Sequence, residues 1–282
     1  MRTWVGTRTG GALVDPGDAR VSVLDHGFTV ADGVFETLRV YGGVPFAWTR
    51  HLERLGRSAG ALGLVPPGGP ALRAAADAVI EANGLPDARL RITVTGGVAP
   101  LGSERGGVPP TVVIASGALT TWPATAEVVT VPWCRNERGA TAGLKTTSYA
   151  ENVRALAYAH ERGASEAIFP NTRDALCEGT GSNVFLVVDG TLVTPPLASG
   201  CLAGVTRGIV LELCARAGIA CAETDLPIGA LASAEEAFLT SSTREVQPIA
   251  LVDGQALTRA PGPAALALQA AWRELLAHDL DP

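Results

Sequence analysis

Residues 143–159 read GLKTTSYAENVRALAYA, and they hold Lys145, the only lysine of the chain. Lysine and arginine together number 22, so 21 of these cations are arginines. Both side chains supply positive charge, but only lysine's amine readily gives up its proton and adds to a carbonyl, whereas guanidinium stays charged and is a poor nucleophile. One amine kept among so many arginines points to carbonyl chemistry, set against the plainer possibility of an ordinary surface lysine. Ser148 and Glu151 have the spacing of a capping box, and Val153, Leu156 and Ala157 follow as an apolar stripe. That pattern predicts a helix from near Tyr149 that ends by Gly163. Lys145 then lies just ahead of a helix, on a loop or strand end.

Working outward, the N-terminal side is rich in strands. FETLRVYGGVPFAW (35–48) is strand, Gly-Gly turn and strand, and WTRHLERLGRSAGALG (48–63) places Leu52, Leu55 and Ala59 at helical spacing with Gly63 as a stop. A second helix follows in ALRAAADAVIEANG (71–84), then strands RLRITVTGG (89–97) and TVVIASG (111–117). Periodicity lapses in ALTTWPATA (118–126). Beyond it, strands and helices alternate through EVVTVPW, EAIFP, NVFLVVDGTLVTP, TRGIVLELCARAG and EEAFLTSS to a last helix from about Pro263. The expectation is a two-domain α+β protein, with a smaller N-terminal domain over 1–117, a linker at 118–124 and a larger C-terminal domain over 125–282.

Composition narrows the partners. At 282 residues, with 47% hydrophobic and 18% charged side chains, the chain can bury a substantial core. A net charge of −6 with scattered arginines argues against nucleic acid. No apolar run approaches the length of a membrane span, and MRTWVGTRTGG lacks the apolar core of a signal peptide, so the expected location is the cytoplasm, with no membrane partner. Five cysteines without a C-x-x-C pair signal neither a disulfide framework nor a zinc site and are expected to be buried thiols. The four histidines show no metal spacing, and His26 in DHG reads as structural.

Other segments carry matching chemistry. CEGTGSNVFLVV (177–188) sets Glu178 before a Gly-rich turn and a buried strand. SGCLAGVTRGIVLEL (199–213) opens a helix at Gly204, Val205 and Thr206, whose backbone N–H groups suit an anion, and FLTSSTREV (238–246) ends a strand in hydroxyls. A Schiff-base lysine, a carboxylate and two loops able to hold a phosphate are the parts that a pyridoxal phosphate site needs. GTGSNV (179–184) fails the dinucleotide pattern, since Val184 takes its sixth position and a strand follows.

Taken in order, LDHGFTVADGVFETLRV, RHLERL, GLKTTSYAENV, EAIFPNTRDALCEGTGSNVFLV, TPPLASGCLAGVTR and EEAFLTSSTREVQPI resemble the class IV pyridoxal-phosphate aminotransferases. That family includes branched-chain and D-amino-acid aminotransferases, (R)-amine transaminases and aminodeoxychorismate lyase. The resemblance implies the D-amino-acid aminotransferase-like fold, a homodimer, and pyridoxal 5'-phosphate held between a small and a large domain. By that resemblance Lys145 is the Schiff-base and proton-carrying lysine, Glu178 faces the pyridine nitrogen, and Leu202 packs on the ring. Arg50, Val205, Thr206, Ser241 and Ser242 would hold the phosphate. Phe35, Thr37 and Arg39 fall where the family lines the substrate pocket. Leu101 and Ser103 stand where D-amino-acid aminotransferases carry a carboxylate trap, which leaves Arg105, Arg138 or Arg39 to replace it. Branched-chain members carry a tyrosine five residues after the lysine, and here that position is Ala150. The expected activity is transfer of an amino group from a D-amino acid or (R)-amine to a 2-oxo acid, with the lyase reaction, releasing pyruvate and 4-aminobenzoate, as the alternative.

Overall fold

The computed structural model describes residues 1–282, and backbone contacts divide them into two units. The first comprises Met1–Thr120 with Leu144–Ser148 and Asp281, and the second Thr121–Gly143 with Tyr149–Leu280 and Pro282. Lys145 therefore belongs to the first unit, although it lies within the span 125–282 assigned from sequence to the C-terminal domain. The reason is backbone pairing across more than a hundred residues, which ties its short segment to a strand of the first unit.

The first unit holds an antiparallel sheet of β1 (Thr3–Thr7), β2 (Gly10–Val14), β3 (Gly33–Tyr41), β4 (Val44–Pro45), β5 (Ala88–Thr95) and β6 (Thr111–Gly117), in the order β2-β1-β6-β5-β3-β4. Its helices are α1 (His26–Thr29), α2 (Trp48–Ala61) and α3 (Gly69–Asn83). Side chains alternate between the faces of a strand. Val34, Leu38 and Val40 of β3, with Leu90, Ile92 and Val94 of β5, pack against Leu55 and Ala59 of α2 and Leu72, Ala76 and Val79 of α3. The β3–β4 turn runs through Gly42 and Gly43, both at positive φ (55° and 85°), the hairpin geometry that glycine pairs favour.

The second unit holds β7 (Ala126–Thr130), β8 (Glu166–Pro170), β9 (Leu176–Gly179), β10 (Asn183–Val188), β11 (Thr191–Thr194), β12 (Cys221–Glu223), β13 (Glu236–Ser241), β14 (Glu245–Val252) and β15 (Gln255–Ala256). The sheet order is β12-β11-β10-β13-β14-β7-β8-β9, with β15 on β14. Parallel pairs β11–β12, β14–β7 and β7–β8 mix with antiparallel ones. The helices are α4 (Ala150–His160), α5 (Val205–Ala217), α6 (Ala230–Ser233) and α7 (Pro263–His278). Phe185 of β10 stands opposite Phe238 of β13 and stacks on it, with ring centroids 5.0 Å apart.

Two local expectations change. The capping box at Ser148 does not form: Tyr149 takes the cap position of α4 and no side chain caps it. The backbone just upstream is held against β3, which fixes where the helix can start. The buried face of α4 is Asn152, Ala155 and Ala159, while Val153 is 67% exposed. Small residues there let the helix sit close on Val129, Ala167 and Phe169. The residues assigned from sequence to the linker are also anchored. Arg244 lies 3.6 Å from the centroid of the Trp122 ring, and Gln247 donates to the Pro123 carbonyl at 2.8 Å, which makes both part of the second unit's packing. No helix is long and apolar enough to cross a membrane, and no group of three or more His, Cys, Asp or Glu is placed to hold a metal ion.

Candidate active site

Lys145 is placed by its backbone. Its N–H donates to Ser58 Oγ at 3.1 Å, its carbonyl accepts from the Phe35 N–H at 3.0 Å, Thr146 bridges Val34, and the Thr147 N–H donates to the Gly33 carbonyl at 2.8 Å. The segment thus lies along β3 as a short antiparallel addition. A polar chain in this setting must find partners for its N–H and C=O groups, and here it finds them on β3 and α2. The amine Nζ sits 4.6 Å from the centroid of the Phe35 ring, so two residues singled out from sequence are brought together.

Beneath them lies a cluster that the sequence reading missed. Glu36 of β3 points to the core side and is fully buried. Its Oε1 accepts from Arg54 Nε at 2.8 Å, and its Oε2 takes Arg54 Nη2 and His51 Nδ1, each at 2.7 Å. Burial alone would raise the Glu36 carboxyl, but the Arg54 guanidinium and His51 hold it well below the usual carboxylate range. His51 is pushed below its ordinary value, chiefly by burial and further by the charges of Arg54 and Lys145, while Glu36 pulls the other way. The available signal was the i, i+3 spacing of His51 and Arg54 in RHLERL, with Ser58 four residues further along the same helical face. Arg50, the expected phosphate partner, is half-buried at the third position of the same helix.

The opposite face of β3 carries Phe35, Thr37 and Arg39. Their cross-strand partners on β5 are Thr93, Arg91 and Arg89, so three arginines share this face. Arg39 and Arg89 stand directly opposite each other, a pairing of like charges that favours an anion between or beside them. The Arg91 guanidinium also lies 3.7 Å from the centroid of Phe35. Arg105 is engaged elsewhere: its Nε and Nη2 donate to the Asp32 carboxylate and its Nη1 to the Leu62 carbonyl. Gly63 lies beside it, and the arginine in contact with Phe35 is Arg91 of β5.

In the second unit Glu178 sits on β9 opposite Phe169. Its Oε1 accepts from Arg135 Nε at 3.2 Å and its Oε2 from the Leu202 N–H at 2.9 Å. Arg135 also lies 4.1 Å from the centroid of the Phe169 ring and donates to Asn152 Oδ1 at 3.0 Å. The following turn is held by buried Glu166, which accepts from the Thr180 N–H at 3.0 Å and the Ser182 hydroxyl at 2.9 Å. Leu202 is fixed a second time, since Asn183 Nδ2 donates to its carbonyl at 2.9 Å. Asn183 in turn pairs across the sheet with Thr240, one residue before Ser241 and two before Ser242. Glu178, Leu202 and Asn183 are therefore linked by hydrogen bonds, and Asn183 pairs with the strand that leads into the serine run. Arg135, Asn152 and Glu166 carry no sequence signal that would have singled them out.

The residues present suit a phosphorylated pyridine. α5 starts at Gly204 with no side-chain cap, so the N–H groups of its first turn, including those of Val205 and buried Thr206, are available to an anion. A Cβ at Gly204 would collide with Asn183 Oδ1, so the close approach requires glycine. Glu178 is oriented at both oxygens and, as a carboxylate, retains acceptor capacity for a ring N–H. Burial keeps the neighbouring Cys177 and Cys201 thiols un-ionised, Cys201 being pushed up to about 11, so neither competes for that proton. Three of the five cysteines are buried as expected, while Cys134 is exposed and Cys221 half-buried.

A family model described as amino-transferase class IV matches residues 33–252. The chain is 35% identical over 267 residues to a putative branched-chain-amino-acid aminotransferase of Methanocaldococcus jannaschii, covering 88% of each. It is 32% identical over 258 residues to a D-alanine aminotransferase of Listeria innocua, covering 86% of each. Among solved structures, it is similar to a branched-chain aminotransferase of Thermoproteus uzoniensis with norvaline at a TM-score of 0.89 and 31% identity, over 99% of this chain and 96% of that one.

Proposed function

Because the chain belongs to the class IV amino-transferases, and so is a pyridoxal-phosphate-dependent aminotransferase, we propose that it moves an amino group from a D-amino acid or (R)-amine to a 2-oxo acid. The observation that carries the donor's class is Ala150. It falls five residues after Lys145, where branched-chain members carry a tyrosine, and is the exposed first residue of α4. The similarity to D-alanine aminotransferases supports the same reading.

Pyridoxal phosphate supplies an electron-withdrawing ring that makes the substrate's Cα–H acidic. Lys145 Nζ would bind the cofactor's carbonyl and, once displaced as a neutral amine, would carry the proton from the donor's Cα to the cofactor's C4′. Glu178 would hold the ring nitrogen's proton, with Arg135 and the Leu202 N–H fixing the direction of its carboxylate. Leu202 would pack on the ring, and Arg50, the α5 start at Val205 and Thr206, Ser241 and Ser242 would receive the phosphate. Arg39, Arg89 and Arg91 are suited to the substrate carboxylate because they share the sheet face of Phe35, and Arg91 lies against its ring. Phe35 and Thr37 complete that face.

The assembly proposed is a homodimer. Val23, Leu24, Phe28, Val98 and Leu101 are exposed, and the two segments that carry them are joined by the Asp25–Val98 bridge and by the Ala99 N–H to the Leu24 carbonyl. Phe28 at 75% and Leu101 at 78% exposure make an apolar patch of the kind that partners cover. Sedimentation equilibrium reads this directly, with a monomer as the contrary result.

A second donor class is favoured by the similarity to branched-chain aminotransferases. Mixing the cofactor-loaded protein with D-alanine, an (R)-amine or L-leucine and following loss of the cofactor's visible absorbance separates the readings. Fast decay with D-alanine or the (R)-amine alone supports the first, and decay with L-leucine alone replaces it. Lys145→Arg keeps the charge and is expected to abolish turnover with every donor.

A further inference from the structure

Helix α2 carries Arg50, His51, Arg54 and Ser58, yet its own sequence supplies no cap. Ala47, the cap residue, lies in the left-handed region at φ 50°, has no polar side chain, and makes no side-chain cap hydrogen bond. The missing acceptor comes from 232 residues away. Asp281 Oδ1 accepts from the Thr49 N–H at 2.8 Å, and its Oδ2 accepts from the Thr49 hydroxyl at 2.7 Å. A carboxylate against the second N–H of a helix does what a cap residue's own side chain does, and its negative charge suits the positive end of the helix dipole. The next residue along the chain is Arg50.

We propose that Asp281 is a positioning residue for Arg50: by capping the first turn of α2 it holds the guanidinium in the place where the cofactor's phosphate meets it. This rests on the reading of Arg50 as a phosphate partner. Without the carboxylate, the turn that bears Arg50 starts at a left-handed alanine with its second N–H unsatisfied, and it frays. His51, Arg54 and Ser58 lie further in and are held by Glu36 and by the Lys145 backbone, so the loss is confined to the end that carries Arg50.

The test compares equilibrium binding of pyridoxal phosphate and of pyridoxal, which lacks the phosphate, to the full-length apoprotein. Asp281→Ala is expected to weaken pyridoxal phosphate binding about 2- to 30-fold, the range of a lost cap, and to leave pyridoxal binding unchanged. Asp281→Asn keeps an oxygen for the Thr49 N–H and should restore most of the affinity. Equal weakening for both ligands, or none for either, overturns the proposal, since a general loss of structure does not distinguish the phosphate. Arg50→Ala separates the two claims. If it selectively weakens pyridoxal phosphate while Asp281→Ala does not, the Arg50 reading stands and the Asp281 role fails. If Arg50→Ala shows no selectivity, both fail. Should Asp281→Ala not fold, Thr49→Val removes one of the two bonds and must show a smaller loss of the same selectivity.

Discussion

Replacing Glu36 by methionine tests whether the buried cluster under Lys145 holds the first unit together. The carboxylate is fully buried, Arg54 is 5% exposed, and both Arg54 contacts and the His51 contact are at 2.7–2.8 Å. Removing it takes away the carboxylate that holds two nitrogens of the guanidinium, in a place water barely reaches. Breaking one partner of such a pair costs about 3–5 kcal/mol, whereas an exposed pair is worth about 0–1 kcal/mol. Against a total stability of about 5–15 kcal/mol, that is a large share. The assay is urea unfolding of Glu36→Met, Arg54→Met and the double variant, followed by circular dichroism. Each single variant should lose about 3–5 kcal/mol, and the double should lose less than the two combined by at least ~1 kcal/mol, because it removes both charges of the pair. Losses that add to within about 0.5 kcal/mol would refute the coupling, and a Glu36→Met loss below about 1 kcal/mol would show that the pair is not buried in solution. The consequence for the site is also measurable. Phe35, next to Glu36, donates its N–H to the Lys145 carbonyl, so Glu36→Met should change the rate at which the single lysine is labelled by an amine reagent.

The remaining expectations concern the same supports. His51 is held below its ordinary value of 6.5, so the unfolded chain takes up a proton that the folded chain refuses. Its contribution to stability is complete above pH 6.5 and is lost as pH falls from there toward the folded value, and His51→Gln should flatten the stability curve across that window. Glu36 adds a second loss only below its ordinary 4.5, again because its folded carboxyl titrates lower. Ser58→Ala removes the acceptor of the Lys145 N–H and should cost about 1–3 kcal/mol in urea unfolding, with turnover falling as the lysine backbone loosens. Arg135→Met takes from Glu178 the guanidinium that meets its Oε1 and keeps the Leu202 N–H. A loss of about 1.5–3 kcal/mol corresponds to a roughly ten- to hundred-fold drop in kcat, and an unchanged kcat would show that Glu178 needs no such support.

How much of this was legible in the sequence depends on the distance over which each feature is decided. The Gly42–Gly43 hairpin, α2 ending near Gly63 and α3 ending at Gly84 rest on residues a few positions apart, and the structure has them where the pattern puts them. The Ser148 cap did not form although its local signal was good, because Thr146 and Thr147 answer to β3, more than a hundred residues earlier. The same long-range pairing moved Lys145 into the first unit. Glu36 with His51 and Arg54 was half legible: the helical spacing is in RHLERL, but nothing local says that the core side of β3 will carry an acid. Arg105 looked available as a carboxylate ligand because Asp32, its partner, lies 73 residues away.

The pairing of one lysine with many arginines acquires a chemical meaning on the first unit's sheet. Phe35, against which the Lys145 amine rests, shares its strand face with Arg39, Arg89 and Arg91. A 2-oxo acid carries a carboxylate that needs cations and a carbonyl that condenses with amines. Arginine answers the first need with a rigid fork of donors and cannot answer the second, because guanidinium does not lose its proton in the working range. Lysines at 39, 89 or 91 would bind the carboxylate but would also compete for the carbonyl. The buried cation that locks Glu36 is an arginine too, so the site's deep charge cannot become a second amine. An arginine surround therefore binds the carboxylate without adding an amine that would divert the 2-oxo acid's carbonyl from amino transfer. On this reasoning Arg91→Lys should retain binding of a 2-oxo acid yet let borohydride link that acid covalently to position 91, and no acid-linked position 91 would remove selectivity as the reason for the arginines.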